Sequence, residues 1–160
     1  MDIRPFVPAD LPAVLDLTLA TFGPFYEDSY RPAVGEEVFH NRHSGWRDDY
    51  RTQLVGIHDP SCGKYAVVAT SAGAIDGYVA WLVQADARHG EIDILAVAAP
   101  GRRQQCGRCL AQHAIDAMQA DGVEVVSMGT GGDAFHAPAR ALYESLGFTA
   151  FPTVSYTKAL

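Results

Sequence analysis

The chain has 160 residues, 48% apolar and 19% charged, which suits one globular domain with its own core and leaves no room for a second. Twelve Lys and Arg against nineteen Asp and Glu give a net charge of −7, so the mean field repels phosphate backbones and anionic lipids, and neither nucleic acid nor a membrane is an expected partner. Cys62, Cys106 and Cys109 form no disulfide framework, no run approaches the ~18 apolar residues of a membrane span, and residues 1–5 lack the pattern of a signal peptide, so a cytoplasmic location is expected.

Residues 3–7 predict a short strand. Asp10 and Pro12 then open a helix whose Leu11, Val14, Leu15, Thr18, Leu19 and Phe22 recur at helical spacing. Gly23-Pro24 predicts its end, with an irregular aromatic and acidic stretch over 25–46 and a further helix over 46–54. Residues 65–70, 78–83 and 91–97 are β-branched or aromatic runs at hairpin distances, with a turn at Ser71-Ala72-Gly73, and read as three antiparallel strands.

After Pro100 the period changes to 3.6. Ala111, Ile115 and Met118 lie on one side of a long helix and Arg108, Gln112, Asp116 and Gln119 on the other. A strand over 123–128, the loop Gly129-Thr130-Gly131-Gly132, a helix over 138–146 and a last strand over 154–158 complete the order. Antiparallel strands followed by a β-α-β-α-β half imply an α/β fold with a mixed sheet and helices on its faces.

The turn between the strand ending at Val97 and the long helix carries Arg102, Arg103 and Arg108 in an otherwise acidic chain. Free backbone amides at a helix start, the positive end of its dipole and nearby guanidinium groups suit a phosphate or pyrophosphate. The plainer alternative is a solvated turn in which Gly107 only eases packing.

Arg102-Arg103-Gln104-Gln105-Cys106-Gly107 resembles the acyl-CoA-binding motif [QR]-x-x-G-x-[GA] of the GNAT superfamily of N-acyltransferases, with Val97 five residues before the Arg. It departs at Gln105, where the family usually has glycine. Glu91, six residues before Val97, matches the family's strand glutamate, and the segment from His136 to Phe148, with Ala139, Tyr143, Glu144 and Gly147, resembles its Asn-x-x-Ala-x-x-x-Tyr-Glu-x-x-Gly-Phe ending. His136 stands where Asn is usual. The resemblance implies a single GNAT-like domain over 1–160, with a mixed, mostly antiparallel sheet of about six or seven strands and about four helices. It implies transfer of an acetyl group from acetyl-CoA to a primary amine, of a small molecule by preference, and pairing as a homodimer in many members.

Under that resemblance, Glu91 is the general base and Tyr143 the acid toward the leaving thiolate. Leu95 offers a backbone N–H to the thioester oxygen, and Val97 touches the pantetheine arm. Arg102, Arg103, Gln104, Gln105, Cys106, Gly107 and Arg108 hold the diphosphate, with His136 on the cofactor side. Strand alternation sets Glu91, Asp93, Leu95 and Val97 on one face and Ile92, Ile94 and Ala96 on the other, so Asp93 competes with Glu91 for the role of base and also suits a cationic substrate, with a solvated sheet face as the alternative. Tyr26 and Glu27, in the cluster Phe25 to Tyr30, are candidates for amine recognition by charge and cation–π contact, with packing as the alternative.

The side chain at Gln105 resists a positive φ and crowds a diphosphate, so a catalytically inactive acyl-CoA sensor or interaction module is the alternative function. The Gly129–Gly132 loop lacks a following Gly-Lys-Ser/Thr and reads as a connection. His40, His43 and His58 predict no metal site. Cys106 and Cys109, one helical turn apart near arginines, read as small packing residues.

Overall fold

The computed structural model describes residues 1–99 and 105–160. One five-stranded sheet, in the order β1-β2-β3-β4-β5, is built from β1 (Asp2–Pro5), β2 (Lys64–Ser71), β3 (Ala74–Gln84), β4 (His89–Val97) and β5 (Val125–Met128). Neighbours from β1 to β4 are antiparallel, and β5 runs parallel to β4. The expected mixed sheet is present, with five strands among the described residues rather than six or seven.

The difference lies at the tail. Residues 149–160 carry no strand and are exposed throughout, with no partner strand among the described residues. The central hairpin is closed by a two-residue loop in which Ala72 and Gly73 both take positive φ, 48° and 82°, the conformation that matches the strand twist.

Helices cover both faces. They are α1 (Leu11–Pro24), α2 (Arg31–Val34), α3 (Glu36–His43), α4 (Trp46–Val55), α5 (Cys106–Ala120) and α6 (Ala137–Ser145). Among the described residues four of these, α1, α4, α5 and α6, reach nine residues or more. The expected break at Gly23-Pro24 does not occur. Pro24 is the last residue of α1, and a wide π-type turn over Phe25–Tyr30 follows directly, a looser ladder that tolerates the proline's missing N–H. The stretch expected to be irregular is therefore largely helical.

Strand alternation divides the core. Ala66, Val68, Tyr78 and Ala80 pack with Val14 and Leu17 of α1 and Leu54 of α4. Val67, Ala69, Val79 and Trp81 pack with Leu110, Ala114 and Met118 of α5. Gly90 lets α5 approach, since a Cβ there would collide with the Met118 sulfur. The buried Thr18 hydroxyl bonds the Val14 carbonyl at 2.6 Å and the Tyr78 hydroxyl at 2.7 Å, so the polar atoms between α1 and β3 are satisfied. Among the described residues no helix is long and apolar enough to cross a membrane.

Candidate active site

β4 runs farther than its parallel neighbour. Pairing with β5 ends at Ile92 opposite Met128, so residues 93–97 continue without it. A cavity of about 500 Å3 lies beside this extension, walled by Leu95 and Val97 from β4, Thr21 and Phe22 from α1, the start of α5, and Phe135, His136, Pro138, Ala139, Leu142 and Tyr143 around the start of α6.

The α5 end contributes Gln105, Cys106, Gly107 and Arg108 to the same cavity. The first intrahelical bond shown here is Cys109 N–H to the Gln105 carbonyl at 2.9 Å. The amides of Cys106, Gly107 and Arg108 thus belong to the turn that a helix leaves without internal acceptors, at its positive dipole end. Gln105 occupies the left-handed region, φ 60° and ψ 8°, where the family motif places glycine. A Cβ on Gly107 would meet Leu142 Cδ2 at 3.4 Å and Val97 Cγ2 at 3.5 Å, so this glycine keeps the narrow space between α6 and β4 open. Arg108 donates to the Ser145 hydroxyl at 2.8 Å and the Ser145 carbonyl at 3.3 Å, tying α5 to the end of α6. Arg102, Arg103 and Gln104 lie outside the described residues.

A bulge changes the face pattern of β4. Ala80 pairs with Ile94 and the next residue, Trp81, with Ile92, so Asp93 is the extra residue. Before it, Ile92 and Gly90 face α5; after it, Ile94 and Ala96 face α1. Glu91 therefore lies on the α1 face, while Leu95 and Val97 lie on the α5 side with the second core cluster. The expectation that Glu91, Asp93, Leu95 and Val97 share one face is corrected by this inserted residue. Glu91 is half-buried and Asp93 exposed, with the Gln53 side chain of α4 donating to Asp93 at 2.9 Å. Neither carboxylate lines the cavity.

Tyr143 is half-buried on α6, its ring 6.4 Å from Phe148 in an edge contact. Burial pushes its phenol above the usual range, which keeps the proton on at neutral pH. His136 immediately precedes α6, its Nδ1 2.7 Å from Asp133 and its ring 4.7 Å from Phe25. Burial pushes the Asp133 carboxyl up, yet the His136 contacts hold it below the usual range.

Phe25 also meets Tyr26, Tyr30 and Phe135, so the aromatic cluster read from the sequence abuts the cavity wall. Tyr26 stacks on Trp46 at 4.8 Å and 8°. Glu27 is engaged: Trp46 Nε1 donates to one oxygen at 3.1 Å, where Arg47 also lies 3.1 Å away, and Arg31 donates to the other at 3.0 Å. The Trp46 bond, then the arginines, hold its carboxyl below the usual range. Glu27 thus braces the π-type turn against α4.

His43 packs on Tyr26 and Tyr30, and His58 Nδ1 accepts the Ala66 amide at 3.0 Å. Burial pushes the Cys106 thiol up, consistent with a packing residue. Phe22, Phe135 and Leu142 line the cavity without having been read from the sequence as site residues. Phe22 and Leu142 sit on helical apolar stripes that also mark ordinary core, and only adjacency to His136 points at Phe135.

The set of groups suits a thioester carrier: helix-start amides for an anion, a narrow slot kept open by Gly107, and apolar walls for a flexible arm. The Acetyltransferase (GNAT) family pattern matches residues 13–148. The chain is 40% identical over 67 residues to the uncharacterized N-acetyltransferase YsnE of Bacillus subtilis, covering 42% of this chain and 44% of that protein. It is 42% identical over 69 residues to a mycothiol acetyltransferase of Beutenbergia cavernae, covering 43% of this chain and 23% of that one. These matches span less than half the length of either relative.

In fold, the chain is similar to the PaiA N-acetyltransferase of Thermoplasma acidophilum, solved in complex with coenzyme A, with a TM-score of 0.70, 15% identity, and coverage of 96% and 92% of the two chains. With the family pattern running from α1 through α6 and the cleft formed where β4 outruns β5, the chain belongs to the GNAT family of acetyltransferases.

Proposed function

We propose that the protein is an N-acetyltransferase that moves an acetyl group from acetyl-CoA to a primary amine of a small molecule, by direct attack in a ternary complex. The observation that supports this most is the extension of β4 past β5 over residues 93–97, which borders the cavity through Leu95 and Val97, with Asp93 at its start and Glu91 two residues before it. Acetyl-CoA supplies an activated thioester carbonyl. Cys106, Gly107 and Arg108 at the α5 start hold its diphosphate through backbone amides, and Leu95 and Val97 line the arm.

Catalysis then needs a base for the ammonium, a donor for the developing oxyanion and a proton for the departing sulfur. Glu91 takes the amine proton, directly or through one water. The Leu95 backbone N–H serves the oxyanion. Tyr143, kept protonated by burial, delivers its proton to the thiolate and recovers one from solvent. Asp93, which accepts a hydrogen bond from the neutral Gln53, attracts the cationic acceptor, with Tyr26 in the nearby aromatic cluster. Glu27, already matched by Arg31 and Arg47, serves this wall by bracing it. A reducing cytoplasm suits the three free cysteines.

Free-thiol release from acetyl-CoA across a panel of small amines tests the reading. Release with at least one amine, strongly reduced in Glu91→Gln and Tyr143→Phe, is expected. Saturable acetyl-CoA binding with no release from any amine would replace it with the sensor reading.

A further inference from the structure

The loop Gly129-Thr130-Gly131-Gly132 leads into an ordered pair of ionisable side chains beside the cavity. Asp133 Oδ1 accepts the His136 backbone N–H at 3.2 Å, and its Oδ2 lies 2.7 Å from Nδ1 of the same residue's ring. Arg140 of α6 fixes the loop, donating to the Gly131 carbonyl at 2.6 Å and the Asp133 carbonyl at 2.7 Å. A Cβ on Gly131 would strike both Asp133 Oδ2 and His136 Nδ1, so the pair closes only over glycine. The ring is held further by Phe25 at 4.7 Å and Phe135 at 5.0 Å, and the side chain is 16% exposed. Contacts on this many sides set the orientation of the imidazole before any ligand arrives.

That orientation decides which nitrogen is bare. An ionised carboxylate only accepts, so Nδ1 carries the proton and the neutral ring keeps its lone pair on Nε2. Nε2 makes no hydrogen bond among the described residues, and His136 borders the cavity while Asp133 does not, which leaves the Nε2 edge to a bound molecule. The ring also stands between the cavity and Phe25, which opens the aromatic cluster of Phe25 to Tyr30. Among the ionisable groups on the elements around it, Arg140 is turned to the loop carbonyls, Arg108 to Ser145, and Glu27 to Arg31 and Arg47. Asp28 of the π-type turn is exposed, and burial keeps Cys106 and Tyr143 protonated at neutral pH. Asp133 is thus the charge in direct contact with the ring.

An ammonium nitrogen sheds two protons to become an amide. One leaves before it attacks the thioester carbon, and one after the C–N bond has formed, as the C–S bond breaks and its electron pair departs with sulfur. Glu91 takes the first, and Tyr143 supplies the proton that sulfur takes, so the second nitrogen proton still needs an acceptor. We propose that His136, oriented by Asp133, takes that second proton on Nε2, a step that rests on the N-acetyltransferase reading. The Asp133 carboxylate then stabilises the imidazolium. Glu91 and His136 return two protons to solvent and Tyr143 recovers one, so each turnover releases one proton, as the conversion of ammonium and thioester to amide and thiol requires.

Thiol release with an amine that the parent enzyme accepts, followed from about pH 5.5 to 9, tests the step. His136→Gln should lower kcat about 100-fold and flatten its rise with pH, while the Kd for acetyl-CoA in calorimetric titration stays within about twofold. Asp133→Asn, which keeps the ring, should lower kcat about tenfold. Independently of turnover, proton–nitrogen NMR of the free protein should show His136 protonated on Nδ1 and bare at Nε2, a preference lost in Asp133→Asn. An active parent whose His136→Gln variant keeps kcat within about twofold overturns this step and leaves the transferase reading standing, as does a loss confined to acetyl-CoA affinity. A neutral ring protonated on Nε2 overturns it as well. A parent that releases thiol with no amine removes the reading and the step together.

Discussion

Ile92 and Ile94 lie two residues apart on β4 and point to opposite faces of the sheet, Ile92 into the cluster with Met118 and Ile94 into the cluster with Tyr78. Asp93, the bulged residue between them, makes the reversal. The strand thereby presents carboxylates on the α1 face in its first half and the apolar Leu95 and Val97 on the α5 face in its second. Glu91, the proposed base, thus lies on the face away from the cavity and one residue before pairing with β5 ends at Ile92.

Glu91→Gln should separate the two carboxylates. If Glu91 takes the amine proton, kcat falls about 100-fold or more while the KM for acetyl-CoA stays within about twofold. Asp93→Asn should instead raise the acceptor KM and leave kcat nearly intact. The reverse pattern in steady-state kinetics would assign the base to Asp93.

Tyr143→Phe removes a hydroxyl that makes no hydrogen bond among the described residues, so stability should change little while kcat drops about 100-fold. Its phenol, like those of Tyr50 and Tyr78, is pushed up chiefly by burial. The folded state therefore holds protons that the unfolded chain gives up near pH 10. Stability from these three groups is complete below about pH 10 and declines above it, toward the higher folded values. Urea midpoints that are flat from pH 7 to 9 and fall beyond pH 10 are expected.

Two substitutions at the α5 start should act in opposite directions on acetyl-CoA binding. Gln105→Gly relieves a left-handed conformation that costs a non-glycine residue about 1 kcal/mol and clears the approach to the helix amides, so affinity should rise severalfold. Gly107→Ala places a methyl between Leu142 and Val97 at ordinary contact distance, so the fold should persist while the slot narrows and binding weakens about tenfold. Calorimetric titration reads both.

Asp10 is buried and accepts both Arg4 nitrogens at 2.7 Å and the Val7 amide at 2.9 Å. The Arg4 hydrogen bonds, opposed by burial and aided by Val7, hold its carboxyl below the usual range. A lowered folded pKa gives stability that is present above the unfolded value near 3.9 and is lost as the pH falls through the folded one. Asp10→Ala should cost roughly 2 kcal/mol at pH 7 and much less at pH 3, measured by chemical denaturation.

Much of this was legible in the chain itself. The β2 to β4 hairpins, α5 and α6 follow from periodicity and turn residues, and Val97, Gly107, His136 and Tyr143, picked out by motif, line one cavity. The β4 bulge was not legible, because an inserted residue leaves the alternating types Glu91, Ile92, Asp93 and Ile94 unchanged while reversing where they point. The helical path through Pro24 was hidden for a different reason: a π-type turn has no local residue signature, and Gly-Pro ordinarily stops a helix. The last strand, expected over 154–158, does not form among the described residues, since a β-forming pattern says nothing about whether a sheet edge receives it.

The 4.7 Å edge contact between Phe25 and His136 joins the aromatic segment after α1 to the wall of the cavity beside β4. Under the proposed function, a kinetic defect from altering Phe25 would therefore mix two causes, a displaced acceptor and a displaced imidazole. A substitution at Tyr26, whose ring stacks on Trp46 and meets Phe25 but makes no ring contact with His136 among the described residues, separates the two more cleanly.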